Sequence, residues 1–152
     1  MASQLELIKQ LREETSASIS DVNTALKESD GDMKKAREWL KKKGFERAEK
    51  KSERSTEQGL VESYVHGNGK VGVLVELLCE TDFVARTNEF KDLAHEIAMQ
   101  VAAMNPKDVD VLLKQEYIRD SSKTIQDLVK EAIAKLGENI QLKRFSRFSL
   151  GE

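Results

Sequence analysis

Thr81, Asp82 and Phe83 stand together where an apolar alternation stops and a helical periodicity begins. Thr81 and Asp82 carry side-chain oxygens that can accept from the free N–H groups opening a helix. The Asp82 carboxylate has that capping use or an electrostatic one. Phe83 lies one residue past the cap, outside the alternation before it. Such an aromatic either staples the corner onto its own domain or projects as an anchor into a partner's pocket. Other reactive residue types are sparse. His66, by a turn, and His95, on a helical stretch, match no metal-ligand spacing. Cys79 keeps the apolar phase of its strand and reads as a small buried hydrophobe. Gly67-Asn68-Gly69 leads into a strand and lacks the ending of a phosphate loop, so it reads as a hairpin turn. No catalytic constellation emerges. The chain reads as a binding module, not an enzyme, and calls for no cofactor of its own.

The elements around this corner follow from periodicity. Val71, Val73, Val75 and Leu77 alternate as a half-buried strand does. Residues 58–79 predict a hairpin about His66 to Lys70. Phe90, Leu93, Ala94, Ile97, Ala98, Val101 and Met104 repeat at helical spacing, and Asn105-Pro106 ends that helix. Ile125, Leu128, Val129, Ile133 and Leu136 mark a second amphipathic helix, with Gly137 as its cap. Ile140 to Leu150 alternates again and is expected to pair with the hairpin. Phe145 and Phe148 fall on opposite faces of that strand. Phe145 then either joins an apolar patch on the outer face or is returned to the core by a bulge. The fold class is α+β, a small antiparallel sheet packed with helices.

The first 44 residues read as three short helices. Leu5, Ile8 and Leu11 line the first; Val22, Ala25 and Leu26 the second, capped by Ser20; Met33, Ala36, Trp39 and Leu40 the third, started by Asp30 or Asp32. Lys41 to Lys43 followed by Gly44 predicts the third helix's end. Residues 45–57 hold almost no apolar side chains and read as a charged linker or solvated helix. The expected division is residues 1–44, a linker at 45–57, and a core at 58–152.

Composition limits the partners. Net charge is −2, with 34% charged and 39% hydrophobic residues. That balance disfavours nucleic acid and anionic membranes. The basic run from Lys41 to Lys51 is interrupted by Glu46 and Glu49 and has no aromatic platform. No apolar run reaches membrane-spanning length, and no secretory signal opens the sequence. A single cysteine fits a reducing cytoplasm.

The stretch Glu76 to Arg86, with Cys79, Glu80, Thr81, Asp82, Phe83, Val84, Ala85 and Arg86, closely resembles the signature of the elongation factor Ts family. The resemblance continues in family order through Leu11, Arg12, Thr15, Ala17, Asp21, Ala25 and Leu26, through Tyr64-Val65-His66, and through Ala134 to Ile140. It implies a ubiquitin-associated-like three-helix domain ahead of the core. It implies a guanine-nucleotide exchange factor of translation elongation, located in the cytoplasm, with elongation factor Tu as partner. Asp82 and Phe83, flanked by Thr81 and Val84, would enter the partner's G domain beside its Mg²⁺ site. The amino-terminal helices, around Leu11 and Ile19, would grip another face. Short members of the family pair as homodimers, which is expected here too.

The sequence departs from the family pattern in places. Thr15-Ser16-Ala17-Ser18 stands where the family has Thr-Gly-Ala-Gly, Asn23-Thr24 where it has basic residues, and Leu78 where it has Asn. The helical insertion after the Asn-Pro motif shrinks to Lys107–Lys123, with Leu112 to Gln115 resembling the strand that rejoins the core. The alternative reading is a degenerate paralogue that acts only as a peptide- or ribosome-binding module.

Overall fold

The computed structural model describes residues 1–152. Three helices come first: α1 (Gln4–Thr15), α2 (Ile19–Glu28) and α3 (Met33–Lys50). Side-chain oxygens open each of them. Ser3 and Glu6 form a reciprocal capping box on α1, Ser18 caps α2, and Asp32 caps α3. Ser18 replaces the expected Ser20, because Ser18 is the last extended residue and its hydroxyl reaches the N–H of Asp21. Leu11, Val22, Ala25, Leu26, Ala36 and Leu40 form the small core between the three helices.

Helix α3 does not stop at Gly44. It runs on to Lys50, and Ala48 is buried in the larger core. The linker expected at 45–57 thus begins inside a helix. Gly44 is there for proximity, not for a left-handed cap. A Cβ on Gly44 would sit 3.0 Å from the Cβ of Ala134, so its bare backbone lets α3 cross close to the later helix α7 (Ile125–Leu136).

The larger core is built on a three-stranded antiparallel sheet. Strands β1 (Gln58–His66) and β2 (Val71–Cys79) form the predicted hairpin, and β5 (Ile140–Ser149) pairs on the other side of β2. Val73, Val75, Leu77 and Cys79 point inward onto α5 (Asn88–Met104), whose Phe90, Leu93, Ala94, Ile97, Ala98 and Val101 are all buried. Asn105 ends α5 in the left-handed region, as the Asn-Pro pair predicts. Met104, read as part of the apolar stripe, is exposed.

Between α5 and α7 lie α6 (Val109–Lys114) and a two-stranded ribbon, β3 (Glu116–Tyr117) with β4 (Asp120–Thr124). The segment Leu112 to Gln115, expected as a strand, falls mostly in α6. Asp108 caps that helix by accepting from Val111 at 2.8 Å, and Leu112 is wholly buried. Gln100 of α5 is also wholly buried and fully used. Its amide nitrogen donates to Gln115 Oε1 and to the Glu116 carbonyl, and its oxygen accepts from the Ile118 N–H. This polar pin holds the ribbon against the core.

The two phenylalanines of β5 are placed by a bulge. Leu142 faces Leu77 and Arg144 faces Glu76, so Lys143 is the extra residue. Before it, Ile140 and Leu142 point inward; after it, Phe145 does, packing on the core opposite Val75. Phe148, not Phe145, therefore stands on the outer sheet face, with Val61, Val65 and Leu74, all exposed.

Candidate partner-binding site

The site begins where β2 ends. Cys79 is buried, and its thiol donates to the Thr81 carbonyl at 3.1 Å. Burial, and then the negative charge of Glu138, push that thiol up to about 11, so it stays protonated at neutral pH. Thr81 is extended and caps the one-turn helix α4 (Asp82–Ala85), its hydroxyl accepting from the Val84 N–H at 3.3 Å.

A second loop grips this corner. Glu138, just past the left-handed Gly137 that ends α7, accepts twice from Thr81. Its Oε1 receives the Thr81 N–H at 2.9 Å and its Oε2 the Thr81 hydroxyl at 2.7 Å. Hydrogen bonds to an ionised acceptor contribute about 1.5–3 kcal/mol, roughly twice a neutral pair. The neighbouring residues repeat the arrangement. Asn139 donates its N–H to Glu80 Oε1 at 3.0 Å and its side-chain amide to the carbonyls of Ser52 and Arg54 at 3.3 and 2.8 Å. Arg54 pairs with Glu80 at 3.6 Å, and Lys51 donates to the Gly137 carbonyl at 3.1 Å. Three chain segments, 51–54, 80–81 and 137–139, are thus tied together by polar contacts.

Helix α4 has an inside and an outside. Val84 and Ala85 are buried against the core, whereas Phe83 is 77% exposed. Phe83 does not staple the corner, because it belongs to no part of the buried core. Asp82 does not cap α4, since Thr81 holds that place; it pairs instead with Arg86 at 3.0 Å. Both partners are well exposed, so the pair contributes little to stability. The result is a large aromatic beside a carboxylate, projecting from backbone that is held at several points.

The other predicted contact residues divide. Ile19 opens α2 and is 53% exposed, available to a partner. Leu11, expected at the same surface, is wholly buried between α1, α2 and α3. It holds the helices that present Ile19 and does not itself reach the surface. The departures from the family pattern have local consequences. Ser16 occupies the left-handed region at φ 57°, a conformation glycine adopts without a Cβ penalty. Ser18 sits at an ordinary φ and makes the cap. Asn23 and Thr24 are exposed, and Leu78 is half-buried.

Glu80, Glu138 and Asn139 lie within the motifs that carry the family resemblance, but the sequence reading gave none of them a role of its own. Beside that resemblance, the local signal for two of them is the polar pair Glu138-Asn139 between a helix-ending glycine and an apolar strand. His66 and His95 both lie beside Tyr64. The ring centroids lie 5.9 and 5.6 Å from it, and the Tyr64 hydroxyl is 2.8 Å from His66 Nδ1.

Comparison with known proteins converges on one family. A family profile described as Elongation factor TS matches residues 80–152, which begin at this corner and include the Glu138 loop. The chain is 46% identical to elongation factor Ts of Coprothermobacter proteolyticus, over 96% of this chain and 97% of that protein. It is 42% identical to elongation factor Ts of a Synechocystis species, over 97% of this chain and 88% of that protein. Against elongation factor Ts of Thermotoga neapolitana the identity is 44%, covering 97% of each. The alignment with the Coprothermobacter protein spans 191 positions, more than the 152 residues of this chain, so that relative carries residues with no counterpart here. At these identities over nearly the whole length of both proteins, the chain belongs to the elongation factor Ts family, and with it to the factors of translation elongation.

Proposed function

We propose that the chain is a non-catalytic guanine-nucleotide exchange factor that binds elongation factor Tu and promotes GDP release by disturbing its Mg²⁺ and phosphate site. The single observation that carries this reading is the presentation of Phe83, an exposed aromatic beside Asp82 on a short helix whose cap is anchored to a second loop. A nucleotide held through Mg²⁺ and a phosphate-cradling loop leaves slowly, because many charge-assisted contacts must break together. Phe83 enters a pocket of the partner's G domain, and Asp82 brings negative charge toward the phosphates. Nucleotide and factor then weaken each other's binding by the same factor, which lets GTP complete the cycle. Thr81 and Val84 serve from beneath, one capping α4 and the other buried under it.

Ile19 and the amino-terminal helices form the second contact. The chain works as two packing units, residues 1–44 and 58–152, joined through the continuous helix α3. The outer sheet face, with Val61, Val65, Leu74 and Phe148 exposed, pairs with a second copy. Light scattering tests that pairing: a mass near 17.2 kDa at all concentrations excludes it.

Stopped-flow release of a fluorescent GDP from elongation factor Tu tests the function. The release rate is expected to rise with the concentration of this chain and then saturate. A rate independent of that concentration overturns the proposal.

A further inference from the structure

We infer that Glu138 is the positioning residue of the exchange site: through Thr81 it fixes the angle at which α4 presents Asp82 and Phe83. The inference rests on the exchange reading above and assigns a part of the site that touches no partner. Helix α4 is a single turn of four residues. A helix so short does not hold itself in water, because nucleation costs more than one turn returns. Its buried side, Val84 and Ala85, resists lifting off the core. Rotation about the entry at Thr81 is opposed by the bonds that Thr81 makes.

Those bonds converge on one side chain. The Thr81 N–H and hydroxyl both donate to Glu138, and the hydroxyl oxygen is left to accept from Val84 N–H. One carboxylate therefore sets the rotamer of the cap and the direction of the chain entering α4. The clamp is itself braced, since Asn139 is buried and bonded to Glu80 and to the carbonyls of Ser52 and Arg54. Glu138 belongs to the loop after α7, so the aim of Phe83 depends on a segment 57 residues further along the chain.

Loss of aim has a specific kinetic signature. When only a fraction of the molecules presents Phe83 correctly, apparent affinity falls by that fraction, while the fully bound complex is unchanged. Glu138→Gln is the informative variant. It keeps an acceptor for the Thr81 N–H and preserves size, but it removes the charge and can meet the Thr81 hydroxyl only as a donor, so the hydroxyl loses the acceptor it has in wild type. Glu138→Asp keeps both acceptors on a shorter reach.

The experiment uses the full chain in two measurements. By amide hydrogen exchange, Glu138→Gln should open Thr81 to Val84 faster than wild type, with α5 and α7 unchanged. In GDP release from elongation factor Tu, it should raise the half-maximal concentration by about tenfold or more, tenfold being the low end of the worth of one charge-assisted bond. The saturating rate should stay near wild type, and Glu138→Asp should recover part of the loss. Added to Phe83→Ala, Glu138→Gln should cost much less than it does alone, because only the aim of Asp82 is left to lose. Unchanged exchange at Thr81 to Val84 overturns the inference. So does an equal loss in the presence and absence of Phe83, which marks a purely structural role. If the wild-type chain leaves GDP release unchanged, the exchange reading falls, and the amide measurement alone decides whether Glu138 positions the corner.

Discussion

In the three-helix unit six buried side chains carry the packing, whereas twenty do so in the α+β core. The smaller unit adds polar contacts at its edges to that small centre. Each helix has a side-chain cap, and two ion pairs cross between helices: Glu14 with Arg37, at 2.6 and 3.1 Å, and Asp21 with Arg47. The Arg47 end of the second pair lies on the part of α3 beyond Gly44, so the helix that leaves the small unit also ties it down. The core carries its packing on those twenty apolar side chains, with the wholly buried Gln100 as a polar pin. Its best polar network, around Thr81, Glu138 and Asn139, orients an exposed corner instead. A lean core depends on charges that respond to pH and salt; a rich one leaves polar groups free to shape a surface.

The comparison breaks most sharply at Phe83. Phe83→Ala should remove most exchange activity, at a cost of about 2–4 kcal/mol in partner binding. Melting should be unchanged, because the ring is 77% exposed. A variant that melts early yet exchanges normally would assign Phe83 to the fold.

Gly44→Leu attacks the seam between the two regions. The added side chain collides with Ala134 across the α3–α7 crossing. A net loss of about 1–3 kcal/mol is expected by denaturant titration. Retention of full stability would show that α7 yields at no cost.

Acid should separate the regions. Hydrogen bonds from Arg37, and then Gln10, hold the Glu14 carboxyl down at about 2, against 4.5 for the ordinary group. Hydrogen bonding to Arg47 likewise lowers Asp21. A lowered carboxylate stabilises the fold fully above its ordinary value and loses that contribution as pH falls through the folded one. The three-helix unit should therefore weaken between pH 4.5 and about 2, read by amide signals of α1 to α3. Arg37→Gln should flatten that fall. An unchanged pH slope in the variant would remove Glu14 from the account.

The smallest change sharpens the comparison from the other side. Ser16→Gly should stabilise the three-helix unit by about 0.5–1 kcal/mol, since it relieves a left-handed Cβ at the α1–α2 turn. Thermal melting of the full chain checks the sign.

Much of this architecture was present in local pattern. Alternation located β2 and β5, the turn at His66 to Lys70 placed β1 before β2, helical spacing located α5 and α7, and Asn105 and Gly137 marked their ends, because period, turn and cap chemistry are properties of neighbouring residues. The Thr81-Asp82-Phe83 corner was legible for the same reason. What local pattern misread were positions whose meaning lies across space. Gly44 has the signature of a helix end, yet Ala134 makes it a crossing point. The family resemblance, not local pattern, suggested a strand at Leu112 to Gln115, but Asp108 caps a helix there and the core takes Leu112. Lys143 looks like any strand residue until its partners show it to be the bulge that sends Phe145 inward and Phe148 outward. Whether Phe83 staples or projects was equally undecidable from the chain, since exposure depends on everything that fails to cover it. The sequence by itself determined the hairpin, the last strand, the helices α5 and α7 with their ends, and the family resemblance. Only the tertiary structure decided which face each aromatic took and that Glu138 holds Thr81, because a hydrogen bond between residues 57 apart leaves no periodic trace in either segment.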